Sequence, residues 1–133
     1  MTVVVDTSVL AAIIFGEEDA ERLTDALLAR EDDIYICAAT FVESAIVVTA
    51  RRGDDRRHRL DRVLEELGVQ QWPVDSALAD RAVRAWRRFG KGRHPAGLNY
   101  GDCFSYALAM QLDAVLAYKG DDFSATDVAA AFD

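Results

Sequence analysis

The sequence predicts an α/β fold built on a mostly parallel sheet. Short apolar runs alternate with longer segments in which apolar residues recur at helical spacing. Because parallel neighbours need a crossover connection, strands that alternate with helices imply a parallel sheet. The chain has 133 residues, 51% of them hydrophobic, which suffices for one sizeable core but not for two ordinary ones. We therefore expect a single domain over residues 1–133.

Four short runs predict strands, and the first two have the composition of buried strands. In chain order they are residues 2–5, 34–37, 69–72 and 114–118. The first run is followed by Asp6, and the last is followed by a turn that contains Asp121 and Asp122.

The remaining segments predict helices, apart from one loop that is rich in glycine at residues 90–101. Thr7 or Ser8 can cap the first helix, Asp75 or Ser76 can cap the fifth, and Gly53 can end the third. The first predicted helix begins at Val9. The other five cover, in chain order, residues 17–30, 38–52, 56–67, 76–89 and 102–112.

Composition excludes several classes of protein. No segment reaches the roughly 18 uninterrupted apolar residues of a membrane span, and no basic leader precedes the first strand. We therefore expect a cytoplasmic protein that does not associate with a membrane. Cys37 and Cys103 lack partners at metal-ligand spacing, so they predict buried small side chains rather than a zinc site or a disulfide.

The charge is unevenly distributed. The formal net charge is -8, which argues against a general binder of polyanions. Between Arg51 and Arg93, however, basic residues outnumber acidic ones, so the two ends of the chain are strongly acidic. Such arginines are explained by a solvated helix face. They are also explained by an enzyme that binds phosphate with one region and metal with another.

Several carboxylates are predicted to lie at the edge of the sheet where parallel sheets bind their ligands. Asp6 and the Asp121–Asp122 pair follow the first and last strands, and ligands bind beyond the carboxyl ends of such strands. Glu43 lies in an apolar helix, where an ionised carboxylate needs a partner, and Asp102 opens another apolar helix. Each acid also has an ordinary structural explanation, such as the helix dipole for Asp102. Together they predict an oxygen-only site for Mg²⁺ or Mn²⁺ that activates water and stabilises charge on a scissile phosphate.

Four segments together resemble the successive motifs of the PIN-domain family, most closely the VapC-type toxins of toxin–antitoxin pairs. The resemblance covers essentially the whole chain. The segments are residues 3–8, the helix that carries Glu43, residues 99–109 and residues 118–123.

This resemblance implies a three-layer α/β/α fold, an endoribonuclease that uses Mg²⁺ or Mn²⁺, an RNA substrate, a homodimer and a cognate VapB-type antitoxin. It implies that Asp6, Glu43 and Asp102 are the acidic site residues, with Asp6 and Asp102 as the principal metal ligands. For the fourth acid we favour Asp122, which directly precedes Phe123, over Asp121.

The same resemblance suggests lesser roles for a few polar residues. Ser8 matches a hydroxyl residue that assists the site through a hydrogen bond. Asn99, Lys119 and His94 are candidate contacts to the substrate or to the acids, although each is also an ordinary surface residue.

Three other functions are compatible with parts of the pattern. A haloacid-dehalogenase-like phosphatase needs a second aspartate two residues after Asp6, where this chain has Ser8. A receiver domain needs an acidic acceptor after a middle strand, and none is present there. A non-catalytic PIN-like protein-binding domain would have lost its acids, whereas all four acid motifs are present.

Overall fold

The strands of the sheet run parallel to one another in the computed structural model, which describes residues 1–53 and 57–132. They are β1 (Val3–Val5), β2 (Ile34–Cys37), β3 (Val69–Trp72) and β4 (Val115–Ala117). Their order across the sheet is β3-β2-β1-β4, and Val3 pairs with both Ile34 and Val115. Because β1 is an inner strand, the residue that follows it lies near the middle of the sheet's carboxyl edge.

Helices fill the connections between the strands. They are α1 (Thr7–Ile14), α2 (Ala20–Leu28), α3 (Ala38–Arg52), α4 (Arg57–Glu66), α5 (Ser76–Phe89) and α6 (Tyr100–Gln111). Every predicted strand and helix is present, and the predicted start of the fourth helix at residue 56 lies outside the described residues. In the part of the chain that the structure describes, no helix is long and apolar enough to cross a membrane.

The alternating side chains of β1 divide the core into two halves. Val3 and Val5 pack in a cluster with residues of α1 to α4, whereas Val4 packs on the other face with residues of α5 and α6. The helices therefore lie in separate layers on the two faces of the sheet. The three-layer α/β/α architecture is confirmed. Cys37 and Cys103 are both free and buried, as predicted.

Two predicted helix starts were wrong. The first helix is capped by Asp6, not by Thr7 or Ser8, because the Asp6 carboxylate accepts the backbone N–H of Ser8 at 3.1 Å. The last helix begins at Tyr100 instead of Asp102, because Asn99 and Asp102 form a reciprocal capping box. Asp102, which we predicted as the start of the helix, thus lies in its first turn, where its side chain takes part in the capping box.

The second predicted helix is shorter than expected, since α2 covers Ala20–Leu28 rather than residues 17–30. Glu17 belongs to the turn after α1, where its backbone N–H bonds to the carbonyl of Ala12. The side chains of Glu17 and Asp19 form salt bridges with the ammonium group of Lys119.

Candidate active site

The four predicted acids come from four separate segments and influence one another electrostatically. Asp6 follows β1, Glu43 lies in the second turn of α3, Asp102 lies in the first turn of α6, and Asp122 follows β4. Burial is the largest cause that raises the pKa of Asp102, the backbone hydrogen bond from Asn99 lowers it, and the charges of Asp6, Asp122 and Glu43 raise it, so that the pKa is about 7. These four carboxylates therefore lie close enough to interact electrostatically.

The Asp6 carboxylate is held at both oxygens. It is 4% exposed. Its Oδ2 accepts hydrogen bonds from the backbone N–H of Ser8 at 3.1 Å and from the Ser8 hydroxyl at 2.8 Å. Its Oδ1 accepts the hydroxyl of Ser105 at 2.7 Å. Among the residues that the structure describes, no basic side chain forms an ion pair with Asp6, so hydroxyls and a backbone amide fix this carboxylate.

Asp102 is buried at the start of α6. Its Oδ2 accepts the backbone N–H of Asn99 at 3.1 Å, and the Asn99 side chain accepts the backbone N–H of Asp102 at 2.9 Å. This capping box explains why Asp102 stands at the third position of the helix, but it uses only one of the two carboxylate oxygens. The structural and the chemical roles of Asp102 are therefore compatible.

Glu43 is half-buried beside a glycine. Burial raises its pKa, a hydrogen bond from Thr7 at 2.7 Å lowers it, and the charge of Asp6 raises it. A Cβ atom at Gly101 would lie 2.1 Å from Glu43 Oε2. Since any side chain at position 101 would displace the carboxylate of Glu43, the glycine makes room for Glu43 one residue before Asp102.

The turn after β4 presents two exposed acids that differ in their effect on the site. Asp122, but not Asp121, is among the charges that raise the pKa of Asp102. Phe123 is 1% exposed and packs against Tyr118, which anchors the turn directly after Asp122. The backbone carbonyl of Asp121 accepts hydrogen bonds from Ser124. These contacts favour Asp122 as the fourth acid.

Several site residues escaped the sequence analysis. Thr7, Thr40, Ser44 and Ser105 form a network of hydroxyl groups that contacts Asp6 and Glu43. A signal did exist in the sequence, because Ser105 lies three residues after Asp102 in an otherwise apolar helix. Serines are common in helices, however, and only the packing of α3 against α6 shows which hydroxyls meet a carboxylate.

The residues for which we predicted lesser roles lie in different places; they are Ser8, Asn99, Lys119 and His94. The Ser8 hydroxyl bonds to Asp6 and accepts the backbone N–H of Lys119 at 3.0 Å, while Asn99 caps α6. The Lys119 ammonium is bound to Glu17 and Asp19. His94 stacks edge-on against Phe89, and its Nδ1 accepts the backbone N–H of Ala96. Ser8 therefore supports the acids directly, whereas His94 stabilises its own loop.

The donor set fits a hard divalent ion. In residues 1–53 and 57–132, no group of three or more His, Cys, Asp or Glu side chains is arranged to hold one ion by itself. Mg²⁺ usually binds through one or two carboxylates and keeps several waters, so it does not require such a cage. Asp6 and Asp102 are both buried and carboxylic, and a bound divalent ion would offset both the burial of their charges and the repulsion that contributes to the raised pKa of Asp102.

Among the arginines of the basic region that the structure describes, all but Arg57 are exposed. The guanidinium of Arg51 stacks 3.9 Å from the ring centre of Phe15, Arg93 stacks on Trp86, and Arg88 pairs with Asp127. Arg87 is exposed. Their contact with phosphate stays a prediction.

Comparison with known proteins gives consistent matches over nearly the whole chain. The family model of the PIN domain matches residues 3–129. A relative named Ribonuclease VapC from Mycolicibacterium smegmatis is 48% identical over 127 residues, which cover 96% of this chain and 98% of the relative. Ribonuclease VapC30 from Mycobacterium tuberculosis is 46% identical over 127 residues and 95% of each chain.

Solved structures with low sequence identity share the fold. VapC20 of Mycobacterium tuberculosis, described as a toxin that cleaves the sarcin-ricin loop, superposes with a TM-score of 0.78 at 17% identity over 95% of each chain. VapBC2 from Rickettsia felis, solved with a DNA fragment from its promoter, gives a TM-score of 0.76 at 14% identity, over 98% of this chain and 96% of that one.

Proposed function

This chain belongs to the PIN-domain family, and we propose that it is a VapC-type endoribonuclease that hydrolyses RNA with Mg²⁺ or Mn²⁺. The ribonuclease activity is that of relatives 39–48% identical to it over nearly their whole length. The observation that supports the metal dependence is that Asp6, Glu43 and Asp122 act electrostatically on the buried Asp102, whose pKa is raised to about 7 by burial first and by these charges in addition. Four carboxylates in one place favour a bound cation.

Asp6 and Asp102 are the residues that we propose as principal metal ligands. Both are buried, and each is oriented by hydrogen bonds from the protein. Glu43 and Asp122 add negative charge to the site and would complete the set of carboxylates that holds the ion. When bound, Mg²⁺ supplies a lowered pKa of coordinated water and stabilisation of the charge that grows on the phosphate.

Glu43 is the residue that we propose as proton acceptor. Its Oε1 accepts the hydroxyl of Thr7, while its Oε2 faces Gly101. Burial raises its pKa, and a base with a raised pKa accepts a proton more readily near neutral pH. Thr7 orients this carboxylate, and Gly101 keeps it beside Asp102.

A matched pair of variants tests the site. Asp122→Asn and Asp121→Asn remove one charge each from neighbouring exposed residues, but only Asp122 acts on Asp102. We expect cleavage of RNA to need Mg²⁺ or Mn²⁺, to stop in EDTA, and to fall strongly in Asp122→Asn but not in Asp121→Asn. Full cleavage in excess chelator would refute the metal mechanism, and equal activity of both variants would remove Asp122 from the site.

The partners follow from the relatives and from exposed apolar side chains. We propose a VapB-type antitoxin, as in the VapBC2 structure, a homodimer, and action on cytoplasmic RNA. Val42 and Ile46 on α3 are 54% and 63% exposed, and Tyr100 on α6 is 80% exposed, so apolar surface is available to partner chains. Light scattering of the purified chain tests the dimer, and co-purification with the neighbouring gene product tests the antitoxin.

A further inference from the structure

Two buried hydroxyl groups connect Asp6 to the helix that carries Asp102. Ser105 and Thr40 are both 0% exposed. The Ser105 Oγ lies 2.7 Å from Asp6 Oδ1, and the Thr40 Oγ1 lies 3.1 Å from Ser105 Oγ. Ser105 follows Asp102 by three positions, so the two side chains share a face of α6. The helix that presents one acid therefore also holds the other.

The direction of these hydrogen bonds follows from the number of protons that each group can donate. A hydroxyl has one proton, and an ionised carboxylate can only accept. Ser105 therefore donates to Asp6, and Thr40 donates to Ser105. The result is a chain from α3 through α6 to the residue after β1, in which each bond orients the next and each group is shielded from water.

Ser105 departs from the usual behaviour of a serine in a helix. Serine and threonine commonly donate to the backbone carbonyl four residues earlier. Ser44 does so, with its Oγ 2.8 Å from the carbonyl of Thr40, and Thr24 bonds to Ala20 in the same way. Ser105 instead bonds to a carboxylate that is 99 positions away in the sequence. Local satisfaction of the hydroxyl does not explain this contact.

We infer that Ser105, supported by Thr40, is a positioning residue that fixes the Asp6 carboxylate relative to Asp102. The inference rests on the proposed function, in which both acids hold the metal. Without the Ser105 hydroxyl, Asp6 Oδ1 loses the only hydrogen bond to it among the residues described here, and the carboxylate is freer to rotate about its Cβ–Cγ bond. Groups that orient metal ligands typically contribute 10–100-fold to metal affinity or activity.

The test measures Mn²⁺ binding to the purified chain by calorimetry, with RNA cleavage as a second readout. Ser105→Ala removes the donor to Asp6, and Thr40→Val removes only the support behind it while keeping the shape of the side chain. Thr24→Val is the matched control, because it makes the same substitution as Thr40→Val at a threonine of α2 whose hydroxyl bonds to the backbone carbonyl of Ala20. We expect the Mn²⁺ dissociation constant to rise about 10–100-fold in Ser105→Ala, several-fold in Thr40→Val and less than about twofold in Thr24→Val.

The outcomes separate the inference from the proposed function. Ser105→Ala that binds Mn²⁺ like the wild type would overturn the inference alone, and so would an equal loss in Thr24→Val, since that result indicates that the loss of any helix hydroxyl weakens Mn²⁺ binding. A wild-type chain that binds no Mn²⁺ would overturn the proposed metal site and the inference with it. Should Ser105→Ala fail to fold, weaker Mn²⁺ binding by Thr40→Val supports the inference and unchanged binding refutes it.

Discussion

Asp102→Asn tests whether the acids repel one another in the metal-free protein. The substitution keeps the shape of the side chain, and the amide oxygen can still accept the N–H of Asn99 in the capping box. It removes the negative charge of the Asp102 carboxylate, which burial and three neighbouring carboxylates make unfavourable. We therefore expect the variant to lose most cleavage and to gain stability in EDTA.

The size of this gain follows from the pKa of Asp102. Its pKa rises from the ordinary value of 3.8 to about 7 in the folded chain. Because the folded state holds this proton more tightly, the contribution of Asp102 to wild-type stability is fully present below pH 4, falls as the pH rises and is lost above pH 7. The full loss is on the order of 4 kcal/mol, less about 0.3–1 kcal/mol that the variant loses from the helix dipole. Asp102→Asn should thus be about 3 kcal/mol more stable at pH 8.

The assay compares denaturant unfolding of both proteins in EDTA at several pH values. The difference in unfolding free energy should grow by about 3 kcal/mol between pH 5 and pH 8. Asp121→Asn is the control, and its difference from the wild type should stay near zero throughout. A carboxylate that served only the helix dipole would make Asp102→Asn less stable at pH 8 and leave cleavage intact, and that result would refute the reasoning.

Three further predictions concern other parts of the chain. Gly101→Ala should lower single-turnover cleavage at least about tenfold without loss of thermal stability, because the new Cβ displaces the Glu43 carboxylate while alanine favours the helix; unchanged cleavage would contradict this. Asp75→Ala should cost about 1 kcal/mol in denaturant unfolding, because its carboxylate caps α5 by accepting the N–H of Leu78, and should leave cleavage unaffected. Arg87→Ala should weaken RNA binding and reduce its salt slope by about one if the basic region contacts phosphate.

Much of the fold was predictable because β1, β2 and β4 are continuous apolar runs and the helices have clear periodicity. Strands buried on both faces leave no polar residue in the run, as in Val3–Val5, and this pattern is visible without a structure. The helix starts were less predictable, since Asp6 and Asn99 each compete with neighbouring residues that are equally able to cap. Only the backbone conformation decides which side chain reaches the free N–H groups.

The sequence by itself determined the α/β class, the order of the elements and the four acids as candidates. It could do so because hydrophobic periodicity and the position of an acid after a strand are local properties of the chain. The tertiary structure decided which groups meet. It placed Gly101 against Glu43 and joined Ser105 to Asp6 across 99 positions. Such contacts depend on how α3 and α6 pack on the sheet, and the angle and depth of that packing are set by the whole core.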